Sequence, residues 1–151
     1  MIEGIEIKTI SVQQVYSIRH PVLRPNRPFS SCFFKNDIHP KTVHLGAFSG
    51  QQLVGVLSAL PNLCSQIKLQ RGVQFRGMAV LEDHRNKGIG TLLIEELSSY
   101  MNAQGEWDYY WLNGRIQAIS LYLRVGMIPL GAPFDIPKIG LHQCLYKIYN
   151  A

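Results

Sequence analysis

The sequence predicts a single mixed α/β domain spanning residues 1–151, with a central, twisted, mostly antiparallel sheet of about six to seven strands and about four helices. Three observations predict this class. Short strand-like segments alternate with segments of helical periodicity, a glycine turn joins two of the strand-like segments, and 46% of the residues are hydrophobic. A chain of this length and composition can bury a core of its own.

The N-terminal elements are a strand, a helix and a long loop. Residues 5–10 (IEIKTI) alternate between apolar and polar side chains, which predicts the first strand. Ser11 is a suitable N-cap for a helix that we expect to run from residue 12 until Pro21, because proline interrupts the hydrogen-bond ladder. Residues 21–40 contain four prolines and predict a long loop with room for a short helical turn.

The central elements are a hairpin, a further strand and an amphipathic helix. Residues 42–48 and 53–60 flank the sequence SGQQ, which predicts two antiparallel strands joined by a glycine turn. Residues 73–80 (VQFRGMAV) predict the next strand. The apolar residues that then recur at helical spacing are Ile89, Leu92, Leu93, Leu97 and Met101.

The C-terminal elements complete the sheet. Residues 107–113 (WDYYWLN) predict an aromatic strand, and residues 115–125 predict a helix that ends at Gly126, a residue type favoured just after a helix. Residues 127–131 and 140–149 predict the last two strands. Helices between strands imply one or two parallel crossovers in an otherwise antiparallel sheet.

The charge composition favours anionic partners without choosing among them. The formal net charge is +5 at pH 7, and the basic residues are spread along the chain rather than grouped in a block. The sequence contains no finger, helix-turn-helix or RNA-binding motif, so we do not expect a nucleic-acid partner.

The cysteines and the apolar segments indicate where the protein acts. Cys32, Cys64 and Cys144 are odd in number and widely spaced, which predicts reduced thiols rather than a disulfide framework or a metal site. The first ten residues do not resemble a signal peptide, and no apolar run is long enough to span a membrane. We therefore expect a cytoplasmic protein without a membrane partner; a monomer and a homodimer both fit the sequence.

A glycine turn stands between the predicted strand 73–80 and the following helix. Gly88 and Gly90 carry no Cβ atom, so a ligand can approach the backbone closely there, and Arg85 and Lys87 add positive charge. The N-terminus of a helix has free N–H groups and a partial positive charge. These features predict a phosphate or pyrophosphate site. A charged surface turn with glycines for tight packing is the alternative.

Two motifs give the chain a family resemblance. Residues 85–90 (RNKGIG) resemble the R/Q-x-x-G-x-G/A pattern of the GNAT superfamily of acyl-CoA-dependent N-acyltransferases, and they have the expected strand before them and helix after them. The segment LNGRIQAISLYLRVGM resembles the second signature of the superfamily, A-x-x-x-Y-x-x-x-G-[FM]. The matching residues are Ala118, Tyr122, Gly126 and Met127.

Two further segments extend the resemblance over nearly the whole chain. Residues 134–147 (FDIPKIGLHQCLYK) and residues 22–28 (VLRPNRP) are similar to a subgroup of the superfamily. The chain departs from that subgroup at Gly114, where N-A-R is common, and at Met127, where phenylalanine is commoner. Neither change removes a catalytic group.

The resemblance implies a GNAT-like fold whose sheet is splayed at a cofactor cleft, with acetyl-CoA as co-substrate and no metal. The pantetheine arm is expected along the strand before the glycine turn, the pyrophosphate on the turn, and the thioester carbonyl on the N–H of Val80. Asn113 ends the aromatic strand, where it either contacts the cofactor or caps the next helix. The residues implied to bind the cofactor are Met78, Ala79, Val80, Arg85, Asn86, Lys87, Gly88, Ile89, Gly90, Thr91 and Asn113.

The implied reaction is direct attack of a primary amine on the thioester. The resemblance makes Tyr122 the general acid for the leaving thiolate, whereas a core position is its structural alternative. The candidates for the general base are His142, Glu82 and His44. For the two histidines the alternative is a buried structural role, and for Glu82 it is a solvated surface position.

The acceptor is the least determined part of the function. Residues 21–40 and 131–142 are implied to shape its site, and the basic residues of the first segment are compatible with an acidic amine. Arg76 lies inside a strand, where it either pairs with an internal acid or lines the acceptor site. We expect an N-acetyltransferase acting on a small molecule; a non-catalytic domain that binds acyl-CoA as a sensor or scaffold is the alternative.

Overall fold

The computed structural model describes residues 2–149 and contains a seven-stranded sheet flanked by three α-helices. The elements in chain order are β1 (Ile5–Thr9), α1 (Val12–Leu23), β2 (Val43–Ser49), β3 (Gln52–Pro61), β4 (Gly72–Val80), α2 (Ile89–Ala103), β5 (Tyr109–Arg115), α3 (Ile119–Arg124), β6 (Ile128–Ile136) and β7 (Gly140–Ile148).

The sheet is mixed but mostly antiparallel, as the sequence predicts. Its strand order is β1-β2-β3-β4-β5-β7-β6, and β4 with β5 form its one parallel pair among residues 2–149. Three α-helices lie within residues 2–149, one fewer than the approximate number expected. The remaining helical segments are 3₁₀ turns of three or four residues, too short for the α-helical bonding pattern: Phe29–Cys32, Glu82–His84 and Ile116–Ala118.

Helix α1 continues past the proline that was expected to end it. It begins with a capping box, in which the Ser11 hydroxyl accepts from Gln14 N at 3.1 Å, and it runs through Pro21 to Leu23. Pro21 lies in the last turn, where its missing N–H removes one ladder bond. Val22 and Leu23 pack against the buried cluster beneath the helix, and this apolar contact offsets that loss.

Helix α2 supplies much of the core. The prediction of an amphipathic helix is confirmed, but Leu92 is only half-buried and Ile94 takes its place in the interior. The segment expected to be one helix from residue 115 is more divided, since Arg115 ends β5 and regular α-helix begins at Ile119. The buried residues of α2 are Ile89, Leu93, Ile94, Leu97 and Met101.

Strands β4 and β5 separate after a short paired region, which opens the sheet. Gly72, Val73 and Gln74 of β4 pair with residues 109–111 of β5, and the pairing ends there. Beyond that point β5 remains paired with β7 up to Arg115. The sheet is therefore splayed between β4 and β5, as the family resemblance implies, and the gap forms a cleft.

A bulge in β4 lies beside the gap. Ser58 of β3 stands opposite Arg76 and Val56 stands opposite Ala79, so the register shifts around Gly77. Gly77 has a φ of 72°, and a Cβ atom there would lie 2.8 Å from Nε of the buried Arg19. The bulge therefore requires glycine for both its backbone conformation and its close contact with that guanidinium.

A buried ion pair holds the long loop against α1 and the sheet. Arg19 donates to both carboxylate oxygens of Asp37, at 2.7 and 3.1 Å, and to the Ser58 hydroxyl at 3.0 Å. The same carboxylate accepts from the backbone N–H of Phe34 at 2.6 Å. A bidentate pair with such additional hydrogen bonds defines the position of the loop tightly.

Candidate active site

The cleft between the splayed strands has a volume of about 1190 Å³ and is the candidate active site. The second half of β4 forms one wall, and β5 with His142 of β7 contributes to the other. The start of α2 closes one end of the cleft, and the end of α1 lies with Phe34 along its rim. A large concave site with polar groups on several elements is the usual form of a ligand pocket.

The glycine loop (residues 85–90) turns free backbone N–H groups toward the cleft. Asn86 and Gly88 adopt left-handed conformations, with φ of 60° and 84°. Gly88 occupies the N-cap position of α2, and no side chain within residues 2–149 caps the helix there. The first ladder bond runs from Leu92 N to the Gly88 carbonyl at 3.0 Å, and the Arg85 N–H donates to the Glu82 carbonyl at 3.2 Å. The N–H groups of residues 86–91 are therefore available to a ligand.

The two glycines of this loop have different structural roles. A Cβ atom at Gly88 would meet only Ile2 Cδ1 at 3.6 Å, so the left-handed backbone is the reason for glycine there. A Cβ atom at Gly90 would lie 3.3 Å from Sδ of Met78. Gly90 therefore allows the start of α2 to lie close against β4, which brings the loop next to the strand.

The basic residues of the loop take different positions. Arg85 lines the cleft, and its Nε donates to the Val80 carbonyl at 2.9 Å, which joins the loop to the end of β4. Lys87 is exposed and does not line the cleft. Every other residue predicted to bind the cofactor lines it, from Met78 and its neighbours in β4 to Asn113 in β5.

The hydrogen-bond pattern of β4 directs the Val80 N–H into the cleft. Leu81 N donates to the Val54 carbonyl at 2.8 Å, and Val80 stands opposite Gly55 of β3. Bonded and non-bonded pairs alternate along an antiparallel ladder, so Val80 belongs to a non-bonded pair. Its N–H and carbonyl therefore point away from β3 and toward the gap.

Tyr122 lies on α3 with its ring packed against β5. The residue is 8% exposed, lines the cleft, and its hydroxyl has no hydrogen-bond partner among residues 2–149. Burial raises the pKa of the phenol above its ordinary value of 10.0, while Arg115 opposes that shift. The hydroxyl is therefore protonated at neutral pH and can donate a hydrogen bond or a proton into the cleft.

Gly114 makes room for the Tyr122 ring. A Cβ atom at this position would lie 2.4 Å from Tyr122 Cε2 and 2.8 Å from Cδ2. The glycine that departs from the subgroup pattern is therefore a packing requirement in this chain.

We expect Gly114→Ala to displace the Tyr122 ring and to destabilise the protein by about 1–3 kcal/mol, the usual cost of an overpacked site. Thermal unfolding measures the stability of the variant against that of wild type. Gly105→Ala is an unsuitable control because Gly105 has a φ of 67°, so Ser99→Ala on the exposed face of α2 serves instead. Wild-type stability in Gly114→Ala would contradict the packing role.

His142 faces the cleft from β7. It is 5% exposed, it stands opposite Arg115 of β5, and its Nδ1 lies 2.8 Å from the Gly140 carbonyl. A carbonyl oxygen accepts only, so Nδ1 carries the hydrogen in this bond and Nε2 of the neutral ring keeps its lone pair. His142 is thus arranged to accept a proton at Nε2.

The other two candidate bases lie elsewhere. Glu82 begins a 3₁₀ turn after β4, is exposed, and does not line the cleft. His44 is buried behind the sheet, with Nδ1 2.6 Å from the Ser58 hydroxyl and Nε2 2.9 Å from the Asp37 carbonyl. Burial lowers the pKa of His44, and both ring nitrogens are occupied, so its surroundings are those of a structural residue.

His84 is a cleft residue that the sequence motifs did not indicate. It lines the cleft directly before the glycine loop, and its buried Nδ1 has no hydrogen-bond partner among residues 2–149. The signal in the sequence that could have indicated His84 is its position directly before Arg85, the first residue of the glycine loop. Phe34 and Arg24 also line the cleft, from the segment expected to shape the acceptor site, whereas Arg27 and Lys35 of that segment do not.

Metal-ligand clusters and long apolar helices are absent from residues 2–149. No group of three His, Cys, Asp or Glu side chains within residues 2–149 is arranged to hold a metal ion. Over the same residues, none of the helices combines the length and the apolar character that crossing a membrane requires. The three cysteines are buried and unpaired.

Comparison with known proteins identifies the family. The sequence pattern of the acetyltransferase (GNAT) family matches residues 10–127, more than half of the chain. An uncharacterized N-acetyltransferase of Bacillus subtilis, YitI, is 36% identical over 143 residues, which are 95% of each protein.

Solved structures with low sequence identity share the fold. Escherichia coli ElaA superimposes with a TM-score of 0.76 at 15% identity, over 95% of this chain and 99% of that one. Arabidopsis thaliana NAA60, solved with a bisubstrate analogue, superimposes with a TM-score of 0.72 at 17% identity, over 95% of this chain and 97% of that one. The splayed sheet, the glycine loop and these similarities together establish that the chain belongs to the GNAT family of acetyltransferases.

Proposed function

We propose that this protein is an N-acetyltransferase that moves the acetyl group of acetyl-CoA to a primary amine by direct attack. The observation that carries the proposal is the cleft itself. It joins the free N–H groups of the glycine loop at one end to Tyr122 and His142 farther along, with the Val80 N–H between the strands. An anion site, an oxyanion donor, an acid and a base are the groups that this transfer needs.

The residues of the cleft have defined parts in this proposal. The glycine loop binds the pyrophosphate, and the Val80 N–H stabilises negative charge on the thioester oxygen. His142 accepts a proton from the ammonium form of the acceptor before attack, and the neutral amine then forms the new C–N bond and releases its surplus proton to solvent. The C–S bond then breaks, and Tyr122 donates its proton to the thiolate; the proton on His142 leaves to solvent as Tyr122 is reprotonated, so that the products are an amide and a free thiol.

The test measures binding and transfer separately. Acetyl-CoA is titrated into the protein by calorimetry, and a panel of primary amines is then screened for release of free thiol with mass detection of the acetylated amine. Saturable binding together with amide formation is the expected result. Binding without transfer to any amine would contradict the enzymatic proposal and favour an acyl-CoA sensor.

We expect His142→Gln to lower kcat/KM about a hundredfold at pH 7, the lower end of the range for a general base. The deficit is expected to shrink as the pH approaches the pKa of the acceptor amine, because an amine that is already deprotonated needs no base. The control is His39→Gln, which alters an exposed histidine that does not line the cleft. A loss of equal size at every pH would indicate a structural role for His142.

A further inference from the structure

The charges that line the cleft are all of one sign. The lining residues include five arginines and no aspartate or glutamate. Arg85 belongs to the glycine loop, and Arg124 lies on α3. The pyrophosphate of the proposed co-substrate accounts for positive charge at the loop, but it does not account for arginines on the other elements. The remaining arginines of the lining are Arg24, Arg76 and Arg115.

Arg76 is held in place by stacking on the long loop. The guanidinium carbons of Arg76 and Arg19 each lie 4.0 Å from the centroid of the Phe34 ring. Both guanidinium groups are therefore within cation–π distance of the same ring. Arg19 is fully buried and bound to Asp37, so the stack connects Arg76 to a rigid part of the protein.

The guanidinium of Arg76 is left without an anionic partner. The ion pairs among residues 2–149 do not include it, and it donates no hydrogen bond within that range. Arg76 is exposed to the cleft, yet the protein around it removes enough water to lower its pKa, and the charges of Arg19 and Arg24 act in the same direction. A bound anion would relieve this unfavourable environment.

Arg76 also lies at a position along the cleft where it could contact an acceptor. It directly precedes the bulge at Gly77, and Met78 to Val80 follow toward the glycine loop. A co-substrate bound on the loop with its thioester carbonyl on the Val80 N–H, as proposed, would therefore leave Arg76 beyond its reactive end. Leu23 and Arg24 at the end of α1 lie with Phe34 in the same lining.

We infer that the acceptor is an amine that carries an anionic group, a carboxylate or a phosphate, and that Arg76 binds this group. The inference rests on the proposed acetyl transfer. The guanidinium fork matches the two oxygens of either anion, and the stacked Phe34 limits its movement. The absence of carboxylates from the described lining means that nothing there attracts a polycationic amine, and Arg76 with Arg24 repels it.

The experiment compares amines in matched pairs that differ in the anionic group. One arm sets α-amino acids with representative side chains against the corresponding α-carboxamides, and a second sets ethanolamine phosphate against ethanolamine. A linear diamine represents the cationic class. Initial rates of thiol release give kcat/KM for wild type, Arg76→Gln, Arg76→Lys and the control Arg27→Gln, which removes the same charge from an exposed position outside the cleft.

We expect the anionic member of one arm to be preferred by about tenfold to a hundredfold, the usual effect of a hydrogen bond to a charged group. Arg76→Gln is expected to abolish this preference by raising KM for the anionic amine. Arg76→Lys is expected to reduce the preference, and Arg27→Gln to retain it. The arm that shows the preference identifies the anion.

Other results would overturn the inference. Equal rates within both pairs, a preference for the diamine, or an unchanged ratio in Arg76→Gln would each contradict it, and the acetyl-transfer proposal would stand. Acetyl-CoA is also titrated into each protein by calorimetry, which shows whether the part of the cleft that binds the co-substrate is intact. Failure of wild type to bind acetyl-CoA would remove the proposed function, and the inference with it.

Discussion

Tyr122→Phe is expected to lower kcat about a thousandfold while leaving the affinity for acetyl-CoA close to that of wild type, since general acid catalysis contributes about 10²–10⁴ to a rate. The substitution removes one hydroxyl group. The ring packs against Gly114, and that packing is retained, so the expected loss is chemical rather than structural. Steady-state kinetics with the best amine and calorimetry with acetyl-CoA measure the two quantities.

The protonation state of Tyr122 gives this prediction a second readout. Burial raises the pKa of the phenol above 10.0, so it remains protonated through neutral pH and loses its proton only at a pH above that value. The wild-type pH profile should therefore show no decline from Tyr122 below about pH 10. Tyr122→Phe should keep the shape of the profile below that pH and lower its height.

The matched control for this substitution is Tyr100→Phe. Tyr100 is on α2, is 44% exposed, and does not line the cleft, so removal of its hydroxyl should leave kcat unchanged. Equal turnover of Tyr122→Phe and wild type on the true acceptor would contradict the general-acid role. The buried position of Tyr122 would then have only its packing function.

Gly88→Glu is expected to weaken acetyl-CoA binding by a factor of at least about two hundred. The added carboxylate would stand at the N-cap of α2, beside the N–H groups proposed to bind the pyrophosphate. Two like charges about 5 Å apart at a protein surface repel by roughly 3 kcal/mol, which corresponds to that factor. Calorimetric titration of acetyl-CoA measures the loss.

Gly88→Gln separates charge from backbone strain. Glutamine has the same size as glutamate, and both must adopt the left-handed φ of 84° found at this position. Thermal unfolding should show a similar loss of stability for both variants, because strain is common to them. The glutamine variant should retain much more affinity than the glutamate variant. Equal affinities for the two would mean that the anion is bound elsewhere.

Local patterns along the chain predicted most of the secondary structure. The alternation in residues 5–10, the glycine turn of the hairpin and the helical spacing after Gly88 each depend on residues a few positions apart, and each element is present. The same patterns misplaced the end of α1. A rule about Pro21 alone takes no account of the apolar contacts that Val22 and Leu23 make with other elements.

The candidate site was predicted only in part, because local patterns indicate some of its residues and not others. The motif residues of the glycine loop and of α3 lie in the cleft because short motifs determine local backbone conformation. The side-chain directions within the loop were not predictable, because its backbone is irregular, with a left-handed φ at Asn86; Arg85 lies in the lining and Lys87 outside it. The roles of these residues in binding and catalysis stay predictions.

The sequence by itself determined the mixed α/β class, the order of the elements and the presence of a glycine turn at residues 85–90, for which it predicts anion binding. The tertiary structure alone decided which distant residues meet. Gly114 makes room for Tyr122, Phe34 contacts both Arg19 and Arg76, and the cleft contains no carboxylate among its described lining residues. The physical reason is that periodicity and turn chemistry act between near neighbours, whereas these contacts depend on strand register and on where β4 and β5 separate.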